Sequence, residues 1–318
     1  MIKTLAMLSV VALHVFPYSY VWRFSNYIYD ASVIAIPLFF MTSGYLLLGE
    51  NKTSKLKYIS KKIFSIIRLV FVFSLMVWIV YLIKHSTNIK GFFSVFFGAF
   101  VQKGVLFHFW YFGALIIIYA LLPLLNLIYC RKKILIIFFF FLSILEFLCF
   151  LENVLTTPPW EERIIQSFRL WNWLFYFMLG GIIKLFITKQ HPNRMEFYCA
   201  LVLVLLLVCI IFQEHYKNLI GSPFCEYYYS SFIVAVFSTT LFIFILQLDI
   251  KTNSFGQKVL SWISPLFLYV YILHPFAILL ASRICSNHYI IYLLTLAISI
   301  LASTVFIHVP FLKRLTSL

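Results

Sequence analysis

The stretch Leu201-Val202-Leu203-Val204-Leu205-Leu206-Leu207-Val208-Cys209-Ile210-Ile211 is apolar on every side. A half-buried strand would alternate with polar residues, and a surface helix of a soluble protein would show a polar stripe; this run has neither. It has no face to offer water, so it requires hydrocarbon around it, where an α-helix satisfies its own backbone. A spanning helix needs about 20 mostly apolar residues. Comparable segments recur along the chain, at 4–22, 31–48, 63–83, 109–129, 134–151, 171–187, 197–213, 228–248, 262–281 and 289–310. The 318 residues are 63% hydrophobic, 20% aromatic and 11% charged, with a mean hydropathy of +0.99. That leaves too little polar surface to cover a water-soluble globule. The sequence therefore predicts an all-α integral membrane bundle of about ten transmembrane helices. A single domain, 1–318, is expected, because the longest connections, 84–108 and 152–170, are too short to fold alone.

The net charge of +15 raises the question of nucleic acid. The basic residues are dispersed among the connections instead of forming one solvated stripe, which excludes that class and points to topogenic charge. With ten spans, one side carries Lys3; Lys52, Lys55, Lys57, Lys61 and Lys62; Arg131, Lys132 and Lys133; Lys184, Lys189 and Arg194; Lys251 and Lys258; Lys313 and Arg314, sixteen in all. The other carries Arg23, Lys84, Lys90, Lys103, Arg163, Arg169, Lys217 and Arg283, eight in all, with Arg68 left inside the third span. The positive-inside rule then places both termini in the cytoplasm. The six cysteines form no C-x-x-C pair and fall mostly within spans, so they read as packing residues, with no metal or disulfide framework implied. The first span lacks an A-x-A cleavage site and carries His14 mid-segment, so it is expected to be retained. Gly91 to Val101, eleven residues, is too short to cross and is expected to lie in the outer interface or to re-enter. The connection with Pro158, Pro159, Trp160, Glu161, Glu162 and Arg163 is either a lip for an extracytoplasmic substrate or a plain surface link.

Ionisable residues inside spans are rare and costly, so each is a candidate for function. They are His14, Arg68, Glu146 and His274, with Lys3 and His308 near helix ends. Eleven residues separate His14 from Lys3, about 16 Å along a helix, which is the middle of a core about 30 Å thick. His274, twelve residues after Trp262, reaches about 18 Å by the same rise. Eleven residues are also close to three helical turns, so Lys3 and His14 share a face. A cation at the mouth and an imidazole at the centre of one stripe suit an anionic donor whose reactive end reaches His14. Pro275, next to His274, predicts a kink and a cavity there. Arg68 either binds an anion or snorkels to the interface. Glu146 has no partner by spacing.

These residues resemble the membrane acyltransferase-3 family, bacterial proteins that O-acylate sugars of surface polysaccharides. The family's first helix carries Arg, ten residues, then His; here Lys3 stands in the Arg position and His14 in the His position. Ile36-Pro37-Leu38-Phe39-Phe40-Met41-Thr42-Ser43-Gly44-Tyr45-Leu46-Leu47 resembles its V-P-L-F-F-x-x-S-G-x-L-L signature. Lys61-Lys62-Ile63 through Arg68 is similar to its basic approach to helix three, His108-Phe109-Trp110-Tyr111-Phe112 through Pro123 to its H-x-W-F segment, and Tyr271-Ile272-Leu273-His274-Pro275 to its Y-x-x-H-P segment. The resemblance covers essentially the whole chain. It implies an acyl donor, acetyl-CoA or another acyl-CoA, on the cytoplasmic side, with no metal. It implies a sugar hydroxyl of a surface polysaccharide or lipid-linked oligosaccharide as acceptor, and the bacterial cytoplasmic (inner) membrane as location. By this carry-over His14 is the essential histidine and Lys3 the essential cation, although a Lys cannot make the bidentate contact of an Arg. Members carry a longer lead before this position, so a longer native N-terminus stays open.

On this reading the catalytic candidates are His14, Lys3 and His274. His14 acts as general base or carries the acyl group itself, two alternatives the sequence does not separate. Lys3, Lys61, Lys62 and Arg68 are expected to steer the phosphates of the donor, and Trp110, Tyr111 and Tyr271 to contact the acceptor. The rival class is a transporter or flippase of a lipid-linked glycan that uses the same mid-membrane groups.

Overall fold

The computed structural model describes residues 1–16, 23–85, 87–88, 91–187, 195–248, 255–310, 312 and 314. Lys90, Lys189, Arg194, Lys251 and Lys313, and the last six residues of the first expected span, lie outside the described residues. Among those described the elements are helical, with no strand. In chain order they are α1 (Ile2–Val15), α2 (Arg23–Ala31), α3 (Ala35–Leu47), α4 (Leu56–Ile83), α5 (Gly91–Phe100), α6 (Trp110–Cys130), α7 (Lys132–Leu155), α8 (Leu170–Phe186), α9 (Met195–Ile220), α10 (Phe232–Gln247), α11 (Phe255–Ile263), α12 (Phe267–Ile284) and α13 (His288–His308). Each of the ten expected segments carries a helix, and Gly91–Phe100 forms a short one of its own.

Among the described residues, seven stretches are long and apolar enough to cross a membrane: Phe24–Leu47, Leu56–Ile83, Phe107–Cys130, Lys132–Leu155, Met195–Ile220, Phe267–Ile284 and His288–His308. Ile2–Val15, Gly91–Phe100, Leu170–Phe186 and Phe232–Gln247 are shorter apolar helices. Large apolar side chains on the outside, among them Ile136, Phe140, Leu207 and Leu293, complete the picture of a multi-pass membrane protein whose surface is solvated by hydrocarbon.

The tightest crossing is α3 against α8. A Cβ built on Gly44 would meet the Phe177 carbonyl oxygen at 1.7 Å, and one on Gly180 would meet that of Met41 at 1.9 Å, so only glycine fits at either place. α1 lies against α3, α12 and α13, with Ala6, Val10 and Val11 fully buried or nearly so. α2 and α9 are joined by charge: Lys217 Nζ is 2.7 Å from Asp30 Oδ1, both side chains buried, and Gln213 Nε2 donates to the Asp30 carbonyl at 2.8 Å. That pair explains why α9 runs on to Ile220 instead of ending near 213, since its polar end is held by α2 instead of being left in lipid.

The connection between α7 and α8 is built around Glu161, fully buried. Trp171 Nε1 donates to Oε1 at 2.8 Å and Asn153 Nδ2 to Oε2 at 3.0 Å, while Arg169 Nη2 donates to the Glu161 carbonyl at 2.8 Å. Arg169 Nη1 also lies 4.0 Å from Oε2. Burial raises the pKa of the Glu161 carboxyl above its ordinary range, opposed by Arg169 and by the N–H donors of Trp171, Asn153 and Asn172.

Candidate functional site

α1 presents Lys3 near one end and His14 near the other, and each opens into a different cavity. The first, about 450 Å³, is lined by Lys3, Lys62, Ser43, Tyr111, Tyr119 and Tyr271, among others. The second, about 580 Å³, is lined by His14, His108, Trp110, Gln166, Glu226 and Tyr271, among others. Tyr271 is common to both. Its ring packs on Phe39, Tyr111 and Phe112 at centroid distances of 6.1, 5.7 and 5.8 Å, so an aromatic wall one residue thick stands between the cavities.

α12 sets up the chemistry of that wall. Pro275 has no N–H, so the Tyr271 carbonyl one turn earlier loses its helical donor. His274 Nδ1 takes this carbonyl at 2.6 Å. From α6's side, His108 Nε2 reaches the neighbouring Ile272 carbonyl at 3.1 Å, and the Tyr271 hydroxyl donates to the His108 carbonyl. A carbonyl only accepts, so the ring nitrogens facing Tyr271 and Ile272 carry the hydrogens. His274 Nε2 and His108 Nδ1 are then left as acceptors, both buried and without a hydrogen-bond partner among the described residues. The His14 ring stands 5.0 Å from that of His274, which in turn is 5.4 Å from that of His108. His108 and His274 are 2% and 0% exposed, whereas the side chain of His14 is open to the second cavity. Of the three imidazoles His14 is the most open to this cavity, which His108 also lines. Among the described residues no group of His, Cys, Asp and Glu is arranged to hold a metal ion.

Several expected site residues meet here and others do not. Lys3 and Lys62 line one cavity together, Lys3 Nζ lying 5.1 Å above the Phe267 ring and Lys62 Nζ 5.9 Å above that of Tyr58. Lys61 is exposed and Arg68 half-buried on α4, and neither lines this cavity. Trp110 and Tyr111, expected side by side on the acceptor, line different cavities. One face of Trp110 is already covered by Trp173, stacked at 5.0 Å. Sequence reasoning did not single out His108, which opens the α6 span in a 3-10 turn, nor the polar group at the far side of the second cavity. There Glu226 Oε2 accepts from Gln102 Nε2 at 3.4 Å and is also contacted by Gln166 Nε2. The signal for His108 lay in the H-x-W-F match itself; Gln102, Gln166 and Glu226 gave none.

The arrangement offers a cation-bearing aromatic pocket and a second pocket with an accessible imidazole and amide and carboxylate groups, meeting at Tyr271. The chain is 26% identical over 323 residues to a serine/alanine racemase of Enterococcus gallinarum, a match covering 94% of this chain and 44% of that protein. It is 29% identical over 119 residues to an amino-acid racemase of Enterococcus faecalis, covering 34% of this chain and 16% of that protein. The chain thus spans less than half the length of these curated relatives. No solved structure gives a significant match. The family model described as an acyltransferase domain matches residues 1–309, nearly the whole length, and the chain belongs to this acyltransferase-3 family.

Proposed function

We propose that the chain is a membrane-bound O-acetyltransferase of the bacterial cytoplasmic membrane, with ten crossings and both termini in the cytoplasm. It moves the acetyl group of cytoplasmic acetyl-CoA to a hydroxyl of a surface polysaccharide or lipid-linked sugar. The observation that carries this reading is the pair of cavities sharing Tyr271, one with Lys3 and Lys62, the other with His14. Two ammonium groups beside the first cavity suit the phosphates of CoA. The second, with Glu226, Gln102 and Gln166, suits sugar hydroxyls.

In the step itself the acceptor oxygen attacks the thioester carbonyl carbon. His14 takes the hydroxyl proton as the C–O bond forms. The C–S bond breaks, and the proton passes to the departing sulfur, leaving CoA as the thiol. General-base assistance of this kind is worth about a hundred- to ten-thousandfold. The variant His14→Ala should therefore lose acetyl transfer from labelled acetyl-CoA in membranes by at least about a hundredfold at normal expression. Full activity in that variant sinks the mechanism.

Mass spectrometry of surface glycans from cells with and without the gene identifies the acceptor through a mass difference of one acetyl group. Free serine belongs in the same assay, because the relatives named as racemases act on amino acids and serine, unlike alanine, offers a hydroxyl. A transporter would instead move unmodified substrate along a gradient and release no CoA.

A further inference from the structure

A third cavity, about 690 Å³, lies away from α1 among α7, α8, α9 and α10. Phe147 and Phe232, 57% and 79% exposed, stand on its rim, so it opens sideways towards hydrocarbon. Its length follows from α7: Phe139 and Phe150 both line it, eleven residues apart, about 16 Å, or roughly one leaflet of the membrane core. Its ends differ. Phe150 stacks on Tyr216, which packs on Tyr228 next to Tyr229, Ser230 and Ser231, while Phe139 stacks on Phe175 about three turns away along α7; Thr239 and Thr240 also line the groove.

Two features separate it from an ordinary lipid-facing crevice. First, Tyr229 lines both this groove and the His14 cavity, so the two are neighbours at the polar end. Second, Glu146 faces the groove about one turn from Phe150, 5% exposed, and among the described residues neither its carboxyl oxygens nor the buried Ser230 hydroxyl beside the groove has a hydrogen-bond partner. A carboxyl and a hydroxyl left unsatisfied in a membrane interior cost free energy, which a ligand bearing its own hydroxyls would recover.

We infer that this groove seats the hydrocarbon anchor of a lipid-linked acceptor. The chain lies along Phe139, Phe147 and Phe150, Glu146 and Ser230 take hydroxyls at the anchor-proximal sugar, and the glycan passes Tyr229 into the cavity of His14. This deepens the acyltransferase reading by naming the acceptor as an amphiphile, and it rests on that reading for its role.

The test has two arms on the full-length protein in nanodiscs. In the first, dodecyl glucoside carrying a diazirine in its alkyl chain is photolysed without acetyl-CoA, and the labelled peptides are mapped. Labelling of α7 and α10 that excess unmodified dodecyl glucoside suppresses and dodecane does not is the expected result. Labelling spread over all lipid-facing helices, or suppressed equally by dodecane, means that the groove holds bulk chains and overturns the proposal. In the second arm, kcat/KM for acetylation of dodecyl glucoside is divided by that for methyl glucoside. The ratio should exceed about ten in the unaltered protein and fall about tenfold in Ala235→Phe, whose ring fills the groove, the loss expected when a methylene or two are expelled from burial. A ratio near one in the unaltered protein overturns the proposal and leaves the acyltransferase reading standing. Specific labelling with no acetyl transfer to any acceptor does the reverse. A variant that fails to fold loses both rates together, and the labelling arm then decides.

Discussion

Pro275 takes one hydrogen out of α12, and His274 is organised by the gap it leaves. With the Tyr271 carbonyl freed, His274 is held by Nδ1 and presents Nε2 towards its neighbours. In the variant Pro275→Ala an amide hydrogen competes for that carbonyl, and His274 loses its fixed tautomer. We expect kcat for acetyl transfer to drop about tenfold, since a misplacement of about 1 Å can cost up to about a hundredfold, while thermal stability holds or rises. Unchanged kcat with unchanged KM would show that the orientation of His274 does not matter. His14 and His274 were legible in the sequence because an imidazole in the middle of an apolar segment is rare. His108 stood in the quoted H-x-W-F segment but drew no role, because it lies just ahead of the expected span at 109, where a histidine is not costly. Asp30 was missed for the same reason: its helix starts at Arg23, well before the apolar run that marks the span.

Among elements, α3 and α8 depend on close approach. The substitution Gly44→Ala pushes a methyl group into the Phe177 carbonyl. The helices must separate, at a cost of about 1–3 kcal/mol. A clear fall in the thermal midpoint in detergent checks this, and a midpoint equal to the parent's refutes the packing. The sequence showed Gly44 inside a recognisable signature, yet not why glycine is needed there, since the requirement comes from a backbone over a hundred residues away. The link between α7 and α8 carries a different dependence. Burial holds the Glu161 carboxyl above its ordinary range, so the folded chain keeps that proton to higher pH than the unfolded one. Its contribution to stability is greatest below the ordinary glutamate range and declines as pH rises through the raised value. The variant Glu161→Gln does not titrate there and should give a thermal midpoint flatter with pH across that window. Parallel profiles for parent and variant would rule this out.

Across the whole molecule, sixteen basic residues against eight orient the proposed ten-span bundle. Alkaline phosphatase fused after Lys103 should be active, and the same reporter fused after Leu318 inactive; the opposite pattern inverts the orientation. The helical class was open to reading because apolar runs are long and the charges between them short. The ends of helices were less so. α4 begins at Leu56, ahead of the expected 63, because Lys57, Lys61 and Lys62 extend the helix past the apolar run. Pro275 announced a cavity beside His274, but not that two cavities meet there, since Tyr271 joins them only through contacts with α3 and α6.

The aromatic wall is also an insulator. A unit charge crossing a membrane held at 100 mV moves through about 2.3 kcal/mol, and an open passage from Lys3 to His14 would let protons run down that slope. Phe39, Tyr111, Phe112 and Tyr271 carry no net charge and close the way with rings. What the proposed reaction exchanges past them is an acetyl group in one direction and the acceptor's hydroxyl proton in the other, a swap with no net charge, while the CoA polyanion stays on the side it came from. Each turnover would then do no electrical work, and its rate would be indifferent to whether the membrane is energised.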